Sequence, residues 1–362
     1  MSKINFDSFF ADFKKQTQEF EDTKKVLGSG GFGEVREIKY KGRVYAGKLA
    51  EKKNGILNPE KIRGPNIIKI IKILEKKIPQ RKSDGKIYNL IIMEKALLKD
   101  LGTMINHLHS SRNNSSSSNN SNFFKLINNP FLEIIGNNFL KFFVKQIIQG
   151  LETLDRNELV HFDIKPENLL IQNGLNLKIT DFSFLMNLQE YEDGVKSLKI
   201  PGGTPGYVTP EFFHNENIDR ITAKKQDYFA LGATIYYLKV GHQMLKYYNK
   251  NENDKMTEDR IIDLLQRDIA HINAQPLMDK GFVNFLCKLI QYVPEERPSF
   301  EEIYRNKWLN ENLEDIYLTT NMFAEGDEST LMKELAKSDF IIEKEKEIHD
   351  NEKQRAKFRF EE

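Results

Sequence analysis

The sequence holds a single cysteine in 362 residues. One thiol excludes a disulfide framework within the chain and leaves too few thiolates for a cysteine-based metal site. Cys287 falls in the apolar run GFVNFLCKLI, so it reads as a small buried hydrophobe and not as a reactive thiol. An excess of either charge is also missing: 54 Lys and Arg face 53 Asp and Glu. That balance argues against wholesale adhesion to nucleic acid or to a membrane surface. No uninterrupted apolar stretch reaches membrane-spanning length. The opening residues, MSKINFDSFFADFKK, are interrupted by Asp7 and Asp12 and lack the pattern of a secretory signal. Together these absences point to a reducing compartment, cytoplasmic with the nucleus left open.

What is present changes along the chain. Residues 1–22 form an extension in which Ile4, Phe6, Phe9, Phe10 and Phe13 recur among polar residues, a short amphipathic pattern. From Thr23 the texture is β. VREIKY and RVYAGKLA flank Lys41-Gly42 and read as a hairpin. NIIKIIKILE and KIYNLIIME read as two further strands separated by a polar loop containing Asp84-Gly85.

After Ala96 the pattern becomes helical, first in LLKDLGTMINHLH, then in NNFLKFFVKQIIQGLETL, then near 222–240, 257–269, 279–292 and 299–309. Between the first two lies SSRNNSSSSNNSN, residues 110–122, an insert with too little apolar surface to fold. Residues 310–362 are a densely charged tail in which Phe340, Ile341, Ile342 and Phe358 are the few apolar positions. Extension and tail read either as peripheral packing or as docking elements, within the chain or toward a partner.

The first chemical motif is Gly28-Ser29-Gly30-Gly31-Phe32-Gly33-Glu34-Val35. Glycines let backbone amides approach phosphates without obstruction. Taken alone the motif also fits a dinucleotide fingerprint, which needs a helix after the glycines. Here VREIKY runs into a turn and a second β segment, so the loop reads as a hairpin cover. Lys48 on the next strand then reaches the α- and β-phosphates as a fixed point charge.

Two more motifs follow in order: Leu159-Val160-His161-Phe162-Asp163-Ile164-Lys165-Pro166-Glu167-Asn168-Leu169-Leu170, and Lys178-Ile179-Thr180-Asp181-Phe182-Ser183. Through them residues 23–309 resemble the eukaryotic protein kinases. The resemblance implies an α+β bilobal fold, with a small β-rich N-lobe over about 23–95 and a larger helical C-lobe over about 96–309. It implies ATP and Mg2+ as cofactors and a protein substrate.

By the same resemblance, Asp163 accepts or orients the substrate hydroxyl proton, and Asn168 and Asp181 hold Mg2+. Lys165 stabilises the transferring phosphoryl and is the residue type expected for serine/threonine acceptors. Val35, Ala46 and Leu170 match apolar contacts to adenine. Met93 matches the gatekeeper, and Glu94 to Ala96 match the hinge that bonds adenine through backbone groups. Gly203-Thr204-Pro205-Gly206-Tyr207-Val208-Thr209-Pro210-Glu211 resembles the end of the activation segment, with Glu211 expected to pair with Arg297. Asp227 and Gly232 match the central helix that supports the catalytic loop.

The sequence departs from the family pattern in three places. Phe162 stands where many members carry an arginine that binds a phosphate on the activation segment, so activation through that contact is disfavoured. Ser183 stands where the metal motif has glycine. The regulatory helix is interrupted by Gly55 and Pro59, leaving Glu60 or Glu51 as the candidate partner of Lys48. Three readings follow: an active serine/threonine kinase, a pseudokinase acting as a nucleotide-binding or allosteric scaffold, and a nicotinamide-dependent oxidoreductase supported by the glycine loop alone.

Overall fold

The computed structural model describes residues 20–30, 33–51, 62–80, 83–96, 100–103, 130–172, 176–214, 217–244, 257–274 and 279–311. The expectations for the extension through residue 19, the 110–122 insert, Gly31, Phe32, Glu60 and the tail beyond 311 lie outside these residues. So does most of the helix expected over LLKDLGTMINHLH.

The N-terminal part is a five-stranded antiparallel sheet in the order β1-β2-β3-β5-β4. Its strands are β1 (Phe20–Gly30), β2 (Gly33–Tyr40), β3 (Arg43–Glu51), β4 (Ile70–Gln80) and β5 (Ser83–Met93). The expected hairpin is present. Lys41 and Gly42 both have positive φ, 48° and 75°, as a two-residue turn matching strand twist requires.

Side chains alternate across each strand, and the two faces differ. Val35 opposes Lys48, and Ala46 opposes Met93; these four share one face. The other face carries an apolar cluster of Phe20, Ile38, Tyr40, Leu49, Leu90 and Ile92. Phe20 stacks on Tyr40 at 4.6 Å between centroids.

Two strand boundaries differ from the sequence reading. Gln80 pairs with Ser83, so the β4–β5 connection is only residues 81–82, and Asp84-Gly85 lies inside β5. Ladder hydrogen bonds are made by the backbone, so a hairpin can extend past its apolar residues. At the other end, Asn66 sits in a turn at φ 60°. Its amide donates to Gln146 Oε1 at 3.0 Å and to the Leu177 carbonyl at 2.8 Å. The Ile68 N–H then donates to the Ile179 carbonyl, which stitches this crossing to the C-terminal part and delays β4 to Ile70.

The C-terminal part is helical around one large core. Helix α1 (Pro130–Arg156) buries Phe143, Val144, Ile147, Ile148, Leu151 and Leu154, the spacing of a single helical face. Helix α2 (Pro210–His214) is one short turn. Helix α3 (Arg220–Val240) is capped by Asp219, which accepts the Thr222 N–H, and closed by Gly241 at φ 83°, both strong terminus signals. Nearly all of its second half is buried, as a central helix demands. A Cβ on Gly232 would fall within 3 Å of Leu289 and Ile290 side chains, so glycine admits the end of α5 (Lys280–Leu289). Helix α4 (Glu258–Asn273) runs beyond the expected end at 269.

The helix expected over 299–309 is two. Helix α6 (Phe300–Tyr304) opens on a Ser299–Glu302 capping box. Asn306 accepts the Trp308 N–H and starts α7 (Lys307–Asn310), because its side chain competes with the continuing helix for backbone donors. Trp308 is core, against Phe282 and Phe285. Cys287 is half-buried rather than fully buried, and burial pushes its thiol up, away from thiolate chemistry. Among the described residues no helix is long and apolar enough to cross a membrane. The whole is a bilobal α+β fold.

Candidate active site

Between β6 (Leu159–Val160) and β7 (Leu169–Ile171), the chain buries His161, Asp163, Lys165 and Asn168. Buried polar groups require partners, and each has them. Asp227 on α3 accepts the backbone N–H of His161 at 2.7 Å and that of Phe162 at 2.9 Å. Burial pushes the Asp227 carboxyl up to about 6, against the pull of His161 and the two backbone donors. His161 Nε2 lies 2.9 Å from the Thr180 carbonyl. A carbonyl only accepts, so Nε2 carries the proton, and Nδ1 accepts the Asp163 N–H at 3.2 Å.

This scaffold presents the Asp163 carboxylate with both oxygens engaged. Lys165 Nζ donates to Oδ2 at 2.7 Å, and Thr204 Oγ1 donates to Oδ1 at 2.6 Å. Lys165 Nζ also donates to Thr204 Oγ1 at 2.6 Å. Asn168 Nδ2 donates to the Asp163 carbonyl at 2.8 Å and to Oδ2 at 3.0 Å. The fold places the Thr204 hydroxyl between Asp163 and Lys165. The only sequence signal for this was the Gly203–Glu211 motif around it.

Asp181 reaches the same region from β8 (Leu177–Ile179), which pairs with β7. The Thr180 N–H donates to the Asn168 carbonyl at 2.9 Å, so the hairpin end brings Asn168 and Asp181 together. Lys48 Nζ is 2.5 Å from Asp181 Oδ1. Ser183 Oγ donates to the same oxygen at 2.5 Å, and Lys48 Nζ donates to Ser183 Oγ at 3.5 Å. Burial raises the Asp181 carboxyl, but Lys48 and the Lys48 and Ser183 hydrogen bonds outweigh it, and the net direction is down. Glu51 ends β3 exposed and opposite Tyr88, three residues from Lys48 and therefore on the other strand face.

The remaining expected residues lie on β1, β2, β3, β5, the segment after β5, and β7. Ala46 and Met93 belong to the main core, with Val35 and Leu170 packed against it. Thr180 Oγ1 lies 3.8 Å from Met93 Sδ. The Glu94 N–H is committed to the Lys69 carbonyl, which leaves the Glu94 carbonyl and the Ala96 main chain unpaired among the described residues. Gly28, Ser29 and Gly30 end β1, paired with Val35, Glu34 and Gly33. Gly33, at φ 128°, would place a Cβ 2.3 Å from the Leu49 carbonyl oxygen, so only glycine fits. A strand and not a helix follows these glycines, which removes the oxidoreductase reading.

Phe162 departs from ordinary backbone geometry, with φ 63°, uncommon for a bulky residue. Its two constraints act together. Its N–H turns to Asp227, and its ring joins a cluster with Val160, Phe184, Leu188, Leu198, Ile200, Ile218 and Ala223. Strand β9 (Met186–Asn187) pairs with β6, and β10 (Leu198–Lys199) pairs with β11 (Asn217–Ile218). Arg220 bonds Glu158 at 2.8 Å and lies 3.7 Å from Asp193, a second tie on this segment. Beyond it, Glu211 pairs with fully buried Arg297 at 2.9 Å, as expected, and Arg297 lies over the Phe229 ring.

Comparison with known proteins places the chain beside one family. The protein kinase domain model matches residues 21–309. Rhodopsin kinase GRK1 of Rattus norvegicus is 26% identical over 280 residues, 77% of this chain and 44% of that protein. The serine/threonine-protein kinase atg1 of Dictyostelium discoideum is 31% identical over 180 residues, covering 49% of this chain and 24% of that protein. The SNF1-like protein kinase ssp2 of Schizosaccharomyces pombe is 28% identical over 218 residues, 58% of this chain and 34% of that protein. The chain thus spans less than half the length of each of these curated relatives.

Proposed function

Since this chain belongs to the protein kinase family, whose members are phosphotransferases, we propose that it is an active serine/threonine kinase using Mg-ATP. The observation that carries the reading is the Asp163 carboxylate held by Lys165, Thr204 and Asn168, with Asp181 brought beside Asn168. Asp163 orients the acceptor hydroxyl and takes its proton. Lys165 offsets negative charge on the phosphoryl in flight. Lys48 holds the α- and β-phosphates, and Val35, Ala46, Met93 and Leu170 enclose the base, with Glu94 and Ala96 offering main-chain groups to its edge.

The donor set fits Mg2+. Asn168 spends its Nδ2 on Asp163 and keeps its amide oxygen, and both hydrogen-bonding partners of Asp181 sit on Oδ1. Among the described residues no group of three or more His, Cys, Asp or Glu is arranged around a metal. One carboxylate and one amide oxygen suit an ion that takes its other ligands from phosphate and water. Held by Asn168 and Asp181, the ion would supply positive charge to offset that of the phosphate oxygens.

The test is transfer of labelled phosphate from ATP to a generic basic protein. Lys48→Met is expected to lower transfer at least about 100-fold, in line with loss of a phosphate-clamping charge, while circular dichroism stays that of a folded protein. Asp181→Ala serves as the background. Full activity in Lys48→Met overturns the role of Lys48. Wild-type transfer no higher than Asp181→Ala, alongside measurable ATP binding, favours the nucleotide-binding scaffold instead.

A further inference from the structure

Ser183 does more than tolerate a glycine position. Its hydroxyl donates to Asp181 Oδ1 at 2.5 Å and accepts from Lys48 Nζ at 3.5 Å. The same Oδ1 takes the Lys48 ammonium at 2.5 Å. Two groups therefore fix one carboxylate oxygen, and the second oxygen stays available. Asp181 itself sits at φ 65°, whereas Ser183 is not among the residues with positive φ. The strained backbone thus falls on Asp181, a conformation that persists where the surroundings hold it. Phe182 next to it is buried edge-on to His161, so the chain on both sides of the Asp181 carboxylate is anchored.

We propose that Ser183 is a positioning residue for Asp181. Its hydroxyl holds the carboxylate against Lys48 through Oδ1 and so presents Oδ2 to the divalent cation. This deepens the Mg-ATP reading and rests on it. Hydrogen bonds to a metal-ligating carboxylate orient it, and removing such a partner typically costs 10–100-fold in metal affinity. A glycine or alanine at 183 leaves Oδ1 to Lys48 alone, while threonine keeps the hydroxyl.

The measurement is Mn2+ binding to the full chain in the presence of ADP, read by electron paramagnetic resonance, which needs no turnover. Ser183→Ala and Ser183→Gly are expected to weaken Mn2+ binding about 10-fold, and Ser183→Thr to recover most of it. In turnover assays the two losses should appear mainly in the metal activation constant and less in kcat. Ser183→Ala binding Mn2+ as tightly as wild type, or more tightly, overturns the inference, as does a Ser183→Thr variant as weak as Ser183→Ala. A wild-type chain that binds no Mn2+ with ADP, as Asp181→Ala should not, overturns the Mg-ATP reading itself and this inference with it.

Discussion

On one side of residues 161–163 the loop between β6 and β7 hangs from Asp227, a buried carboxylate that accepts two backbone N–H groups. On the other, Phe162 sinks into hydrocarbon with Leu198, Ile200 and Ile218. The first attachment is polar, directional and closed, since every group has a partner. The second is apolar and non-directional, and it ties the loop to the segment around β10. In much of the family a phosphate on that segment meets an arginine at the position of Phe162. Here Phe162 stands in that place and packs as a piece of apolar core. A polar hanger fails abruptly because an orphaned buried donor is expensive. An apolar clasp fails in proportion to the volume removed.

The sharpest way to break this contrast is at Asp227. Asp227→Ala leaves two buried N–H groups unpaired at about 1–3 kcal/mol each, so stability should fall by about 2–6 kcal/mol in urea melts. Activity should fall with it, because His161 and Asp163 lose their support. Asp227→Asn keeps one accepting oxygen and should lose roughly half as much. Should Asp227→Ala melt like wild type, the hanger is not what holds the loop.

Next in size is Phe162. Phe162→Ala should cost about 3–5 kcal/mol and Phe162→Leu under about 1.5, a graded series the polar side does not offer. Phosphatase treatment of the wild type should leave transfer within about twofold, since nothing at Phe162 can read a phosphate. A large loss on dephosphorylation would show that another basic group reads one and would dissolve the contrast.

The smallest expected effect is on pH. Burial raises the Asp227 carboxyl to about 6 in the fold against about 3.9 unfolded. A raised group contributes stability that is complete below about pH 4 and lost as pH rises through about 6. The stability difference between wild type and Asp227→Asn should therefore drift against wild type between those values and level off above them. A difference that is flat from pH 4 to 7 would mean that the carboxyl titrates as an ordinary one.

Most of the candidate site was legible because its residues stand in contiguous motifs: residues 159–170 carry Asp163, Lys165 and Asn168 on one short loop, and 178–183 carry Asp181. Strand pairing around Lys48 followed from alternation and the Lys41-Gly42 turn. What was misread involved backbone or long-range contacts. Asp84-Gly85 looks like a turn but sits in β5, because ladder bonds ignore side-chain polarity. The 299–309 helix splits because Asn306 captures the Trp308 N–H. The hydroxyl of Thr204 lies 41 positions from Asp163, so no local pattern could give it its place.

The sequence by itself determined the kind of chemistry this protein is built for, since glycines, a strand lysine and two carboxylate motifs in fixed order need only local geometry to be recognised. It also showed that an expected arginine and an expected glycine are absent. Only the tertiary structure decided what their replacements do. Phe162 became a clasp because the fold brings Leu198, Ile200 and Ile218 to it. Ser183 came to share Asp181 Oδ1 with Lys48 because a strand 135 residues away in sequence delivers that ammonium to the same oxygen.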